Sequence, residues 1–153
     1  MPTVRLLFSP APVHVRTARL VGVAVARRAG VADGVLDEVR LAIGEACSRA
    51  VALHRRYGLT EPILVEMVDA PDYTVQVTDR APAVEAVRTV KDTAVTGLSQ
   101  DGRRGESLSE EALATEMALA LLTGLVDDLR VRPAADGPGT EVRMSWPAWR
   151  PSR

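Results

Sequence analysis

The sequence predicts an α+β fold, a two-layer α/β sandwich in which helices cover one face of a mixed, mostly antiparallel sheet. One observation behind this prediction is the order of elements: strand, helix, helix, strand, strand, long loop, helix, strand. Another is the short turn between the two middle strands, which requires them to run antiparallel. The length of 153 residues, without an internal repeat, suits a single domain with one core.

The first part of the chain predicts one strand followed by two helices. Val4, Leu6 and Phe8 alternate with more polar positions, as in a strand. Residues 13–29 carry apolar side chains at helical spacing, and Gly30 is a plausible stop. A second helix begins near Asp33 and ends near residues 57–58, with the most regular apolar spacing in the chain.

The second part predicts a hairpin, a long connection, a helix and a closing strand. Residues 63–68 and 73–77 are strands joined by a turn of Ala, Pro and Asp. Residues 83–106 form a lid-like loop, and Ser107 with Glu110 has the spacing of a capping box for a third helix that runs to about Leu129. This helix is apolar on most sides, so we expect it to be deeply buried. A last strand over residues 142–146 completes the domain, which spans residues 1–147, and residues 148–153 form a polar tail.

Composition excludes several classes of function. The formal net charge is −1, whereas a nucleic-acid-binding face needs a basic excess. One cysteine and two histidines provide neither a disulfide nor a metal-ligand cluster. The cysteine, Cys47, lies on the apolar side of its helix and is expected to be a buried small side chain. No leader is evident at the start and no apolar segment is long enough to cross a membrane, so we expect a cytoplasmic protein.

Three motifs carry the functional argument. The second predicted helix contains the run LAIGEACSRAV over residues 41–51, which places Arg49 one helical turn after Glu45. The second strand of the hairpin leads into the run DRAPA over residues 79–83. The third helix contains the run EMALAL over residues 116–121, which is free of glycine.

In order and spacing these motifs resemble anti-sigma factor kinases of the RsbW and SpoIIAB type, as found in actinobacteria. These proteins share the histidine-kinase-like ATPase (Bergerat) fold of the GHKL superfamily, and the resemblance covers nearly the whole chain. It implies that Glu45 occupies the general-base position and Arg49 the position of a metal-binding Asn. It also implies that Asp79 occupies the position of the adenine-binding carboxylate. Positions that are glycine in the family's nucleotide motifs are here alanine, namely Ala81, Ala83 and Ala118.

The side chains at these positions predict a degenerate nucleotide site. Mg²⁺ needs oxygen ligands, whereas the guanidinium of Arg49 has five donors and no acceptor. We expect Arg49 to form an ion pair with Glu45 on the helix surface, which would leave Glu45 poorly set up as a base. The alternative is that Arg49 binds phosphate directly. Alanine methyl groups hinder the close backbone approach that glycine permits, and Asp79 is either a ligand-binding carboxylate or a turn residue at the end of its strand.

Two functions follow from the resemblance. The first is a regulator that binds a STAS-domain anti-anti-sigma factor, a sigma factor, or both, in a partner-switching system, without effective Mg-ATP kinase activity. The alternative is an active serine/threonine kinase that phosphorylates the STAS protein, and a module that binds ATP or ADP without transfer lies between them. The substitutions favour the first, with no required cofactor. The resemblance also implies a homodimer.

Overall fold

The computed structural model describes residues 3–69, 71–82 and 110–149. The predicted lid over residues 83–106 and the capping serines before the third helix lie outside these residues. The elements in chain order are β1 (Thr3–Phe8), α1 (Val15–Ala29), α2 (Leu36–Arg56), β2 (Ile63–Asp69), β3 (Tyr73–Thr78), α3 (Glu110–Leu125), β4 (Asp128–Pro133) and β5 (Thr140–Trp146). Single 3-10 turns at Pro12–His14 and Asp33–Val35 lead into α1 and α2.

The strands form one sheet in the order β1-β2-β3-β5-β4, and each of the four pairings is antiparallel. The predicted hairpin of β2 and β3 is confirmed, with Val65 opposite Val77. Strands β2 and β3 alternate between buried and half-buried positions, because one face of the sheet packs against the helices. The predicted α+β fold with helices on one face of the sheet is therefore confirmed.

Among the described elements, the sequence prediction missed strand β4. The third helix does not run to about Leu129; it ends at Leu125, and residues 128–133 form an edge strand. Leu129 and Val131 are half-buried and alternate with exposed arginines, which is strand spacing. Pairing with β5, where Val131 lies opposite Val142, outweighs the helical pattern that precedes it.

Helix α3 is less buried than its composition suggests. Ala118, Leu119 and Leu122 are buried, but Met117 is 61% exposed and Leu121 is 57% exposed. The expectation of a deeply buried helix is therefore wrong: among the described elements α3 packs against α2, and Met117 and Leu121 face away from the core. No helix in the described part of the chain has the length and apolar character needed to cross a membrane.

Helices α1 and α2 pack on the sheet through close contacts. The backbone of α1 approaches α2 at Gly22, where a side chain would collide with Ile43. The buried Tyr73 of β3 donates its hydroxyl to the carbonyl of Gly22 at 2.7 Å, which joins the sheet to α1. The core therefore lies between the inner face of the sheet and the α1–α2 pair, and it is built mainly from small and aliphatic side chains.

The predicted stop at Gly30 is confirmed. Gly30 ends α1 in the left-handed conformation, with a φ of 96° that favours glycine. Its carbonyl accepts a hydrogen bond of 3.0 Å from the backbone N–H of Trp149, and the two backbones are in contact. The start of the predicted polar tail is thereby attached to the domain, and Ala148 packs against the core.

Candidate functional site

Arg49 lies on the inward face of α2. It shares that face with Ala46, Ala50 and Leu53, and the whole residue is 2% exposed. This burial follows from the helical spacing, because positions three and four apart lie on one side of a helix. The prediction of an exposed Arg49 on the helix surface is therefore wrong.

The partner of Arg49 is Asp79, the residue that follows β3. Arg49 Nη1 donates to Asp79 Oδ2 at 3.2 Å, and both side chains are 1% exposed. The other carboxylate oxygen, Oδ1, accepts the backbone N–H of Ala81 at 3.0 Å. The predicted Glu45–Arg49 ion pair is thus replaced by a pair that joins α2 to the end of β3. A carboxylate buried at this point requires a counter-charge, and the guanidinium supplies it.

The electrostatics of this pair show two opposing effects. Burial raises the pKa of Asp79, and the charge of Arg49 and the N–H of Ala81 act against that rise. Burial also lowers the pKa of Arg49, while Asp79 opposes the change. An arginine remains protonated in proteins even so. The pair therefore persists as a charged contact whose desolvation is only partly offset by its attraction.

His54 provides a second contact between α2 and the segment after β3. The backbone N–H of Arg80 donates to His54 Nε2 at 2.8 Å. His54 Nδ1 lies 3.0 Å from the carbonyl oxygen of Glu61. Because Nε2 accepts, Nδ1 must carry the proton, and the ring bridges two backbone groups in its neutral form. Sequence reasoning missed this role, since the pattern indicated only a histidine near a helix end.

We call residues 79–82 the Asp79 segment. On its other side it is fixed by β5 and by the loop before that strand. The N–H of Asp79 donates to the carbonyl of Thr140 at 3.0 Å, and Gly139, with a φ of 125°, lies directly against the Asp79 carbonyl. The Arg80 guanidinium donates to Asp136 Oδ1 at 2.9 Å and to the carbonyl of Pro138 at 3.3 Å. The Asp79 segment is therefore held between α2 and the β4–β5 connection.

The structure brings together three of the predicted site residues, namely Arg49, Asp79 and Ala81. Ala81 is 3% exposed. Glu45 is partly buried on α2, one turn before Arg49. Ala118 is buried on α3, which packs against α2, and Ala83 lies outside the described residues.

These residues do not fit the magnesium nucleotide that the resemblance implies. The guanidinium of Arg49 offers no oxygen to a metal and carries its own positive charge. The two oxygens of Asp79 already accept hydrogen bonds from Arg49 and from Ala81. In the ranges that the structure describes, no cluster of three or more His, Cys, Asp or Glu side chains could hold a metal ion.

Comparisons with known proteins agree with this architecture. The family model described as histidine kinase-like ATPase domain matches residues 8–146. Among solved structures, the chain is similar to the crystal structure of the RsbU and RsbW domains of Rv1364c from Mycobacterium tuberculosis, with a TM-score of 0.62 and 17% sequence identity. That similarity covers 100% of this chain and 34% of the other, and at this identity it supports the fold alone. A comparison with curated protein sequences gave no match.

Proposed function

Since the chain belongs to the histidine kinase-like ATPase domain family, we propose that it is a partner-binding regulator without effective Mg-ATP kinase activity. It binds a STAS-domain anti-anti-sigma factor, a sigma factor, or both, in a partner-switching system. It acts as a cytoplasmic homodimer. The observation that carries the proposal is the buried Arg49–Asp79 pair, which occupies the carboxylate that a nucleotide would need.

The loss of catalysis follows from charge and space. A metal ion near Arg49 would be placed beside a buried cation, which disfavours binding in a medium of low dielectric constant. The methyl group of Ala81 is packed at the position where the family's motif has glycine, so the backbone is less approachable there. Each change weakens nucleotide binding, and together they disfavour a functional phosphoryl-transfer site.

Partner recognition does not need this site. Binding between proteins depends on shape and on apolar anchors, which a metal site does not supply. The class of partner follows from the resemblance of the motifs to RsbW-type anti-sigma factors, and a solved structure described as containing an RsbW domain shares this fold. Exposed apolar side chains on helices α1, α2 and α3 offer contact surface to such a partner: Leu20, Leu41, Met117 and Leu121.

The partner proposal is tested by co-purification and by phosphate transfer. The full chain is incubated separately with each STAS-domain protein and each sigma factor of its host, and complexes are isolated by size exclusion. We expect at least one stable complex, which forms equally without ATP. Labelled ATP and Mg²⁺ are then added, and we expect no label on the STAS protein. Absence of every complex contradicts the regulator, whereas a labelled partner serine establishes the kinase instead.

The nucleotide site is tested by restoring the family's residues. The triple variant R49N/A81G/A83G replaces the cation and both backbone-blocking methyl groups. We expect calorimetry to detect Mg-ATP binding to the triple variant and none to the wild-type chain. The matched control is R132Q, which removes one arginine charge at the sheet edge and should leave nucleotide binding unchanged. No gain in the triple variant would show that these positions are not the nucleotide motifs.

A further inference from the structure

We propose that Arg49 is a built-in ligand of the Asp79 carboxylate. It holds the Asp79 segment in one position whether or not a nucleotide is present. Its guanidinium occupies a pocket that, once the side chain is truncated, accepts small planar cations of the guanidinium class. The inference deepens the proposed function and rests on it where it treats this pocket as the former nucleotide site.

The carboxylate of Asp79 needs a partner of positive charge. This carboxylate is buried, and the single backbone N–H of Ala81 covers only Oδ1. The second oxygen receives its hydrogen bond from the Arg49 side chain. A buried carboxylate without a counter-charge is strongly destabilised. The pocket is therefore a site for a cation, and in this chain the cation is covalently attached to α2.

The Arg49–Asp79 pair leaves buried polar atoms without hydrogen-bond partners. Arg49 Nε is buried without a hydrogen-bond partner, and so is Thr140 Oγ1 on β5, next to the end of the Asp79 segment. Optimised arginine–carboxylate pairs are bidentate, and unpaired buried donors are unfavourable. A buried ion pair of this kind adds little net stability compared with apolar side chains of similar size. Its clearer consequence is positional, since it fixes the Asp79 segment to α2.

Helix α2 holds the Asp79 segment at two points. Arg49 holds the side chain of Asp79, and His54 holds the backbone N–H of Arg80, the next residue. Both anchors come from the same helix, so the segment cannot move from α2 without losing both contacts. A segment fixed in this way by the chain itself keeps its position without a ligand.

The shape and charge of the space that Arg49 fills indicate the class of ligand that could replace its side chain. Replacing Arg49 by alanine removes the guanidinium and its stem but leaves the Asp79 carboxylate and the Ala81 N–H in place. The void matches a flat group with N–H donors and a positive charge, which methylguanidinium provides. Methylammonium carries the same charge but is neither planar nor forked. Rescue by the first and not by the second therefore reports the shape of the pocket and not only its charge.

The test is chemical rescue of R49A in the full chain. Thermal unfolding is measured with methylguanidinium chloride at millimolar concentrations, far below those that denature, and with methylammonium chloride and NaCl at equal ionic strength. We expect methylguanidinium to raise the midpoint of R49A by roughly 3–6 °C when present at about ten times its dissociation constant. Wild type and the double variant R49A/D79N should show no rise. Equal effects of all three salts on R49A overturn the proposal.

A second measurement covers the case in which R49A does not fold by itself. Urea-unfolded R49A is then diluted into buffer with and without methylguanidinium, and the helical circular dichroism signal is compared. Recovery that requires methylguanidinium supports the built-in ligand, and no recovery overturns it. The two proposals fail separately. If methylguanidinium does not rescue R49A and the wild-type chain does not bind Mg-ATP, only the proposal that Arg49 is a built-in ligand fails. If the wild-type chain binds Mg-ATP and R49A is rescued, only the proposal of a regulator without nucleotide fails.

Discussion

Two arginine–carboxylate pairs in this molecule differ in burial more than in geometry. Arg49 and Asp79 meet at 3.2 Å with both side chains 1% exposed. Arg132 and Glu141 meet at 2.7 Å at the edge of the sheet, where the arginine side chain is 55% exposed and the glutamate 8%. The shorter contact is the one that water can replace. The contact distance therefore does not show which pair contributes more to stability. The loss of stability on breaking each pair depends on whether water can reach the groups that remain.

The largest expected effect comes from removing one member of the buried pair. R49M keeps a long apolar side chain but leaves Asp79 without its counter-charge, and we expect a loss of about 3–5 kcal/mol in the free energy of unfolding. Urea unfolding of R49M, D79N and R49M/D79N measures it. The double variant should lose clearly less than the sum of the single ones, because the two groups depend on each other. Additive losses would mean that the pair is not coupled.

A second effect comes from the backbone contact that supports the buried pair. G139A adds a methyl group against the Asp79 carbonyl and requires a residue other than glycine at a φ of 125°. We expect a loss of about 2–3 kcal/mol in urea unfolding, since strain and collision act together. Gly58 is the matched control, because its φ is 63° but no heavy atom lies near a Cβ there. G58A should lose about 1 kcal/mol, and an equal loss in both variants would exclude a role for the contact.

Helix α2 also carries a buried ionisable group, the thiol of Cys47. Burial raises the pKa of the Cys47 thiol from 9.0 to about 12, with a small opposing effect of Arg19. The folded chain thus keeps a proton that the unfolded chain releases above pH 9. Its stability should fall as pH rises from 9 towards 12, by about 1.4 kcal/mol per unit.

The contribution of Cys47 is isolated with C47A. The slope of unfolding free energy against pH between 9 and 10 should be smaller in C47A than in wild type. In the folded wild-type chain the thiol should also react with a disulfide reagent only as fast as the chain unfolds, because the side chain is fully buried. Rapid reaction at pH 8 would contradict the burial of α2 against the sheet.

The smallest effect is expected at the sheet edge. R132Q breaks the short contact with Glu141, but the arginine side chain is 55% exposed, so water can take its place beside the carboxylate. We therefore expect a loss of about 1 kcal/mol. The loss should shrink further in high salt, because screening weakens exposed pairs. Urea unfolding at low and high ionic strength measures both. A loss as large as that of R49M would overturn the distinction between the two pairs.

Much of the fold could be predicted from the sequence, and much of the site could not. Regular apolar spacing predicted α2 because helical period and burial agree over its whole length. Strand β4 was not predicted, because its six residues come shortly after an apolar helix and are recognised as a strand only through their pairing with β5. Local patterns carry no information on such a partner.

The same limit explains the error at Arg49. Sequence spacing favoured Glu45, four residues away on the same helix, whereas the true partner lies thirty residues on. The one available signal was that Arg49 falls three residues after Ala46 and four before Leu53, on the apolar face. Read strictly, that spacing predicts a buried arginine, and a buried arginine requires a carboxylate from elsewhere in the fold.

We propose that a guanidinium of the chain itself lies where a nucleotide with its metal ion would bind. The most direct measurement is isothermal titration of the wild-type chain with ATP in the presence of Mg²⁺. We predict no heat of binding up to millimolar nucleotide, with the R49N/A81G/A83G variant as the positive comparison. Micromolar binding of Mg-ATP by the wild-type chain would contradict this assignment. The Arg49–Asp79 pair would then have to open for the nucleotide that the arginine is proposed to replace.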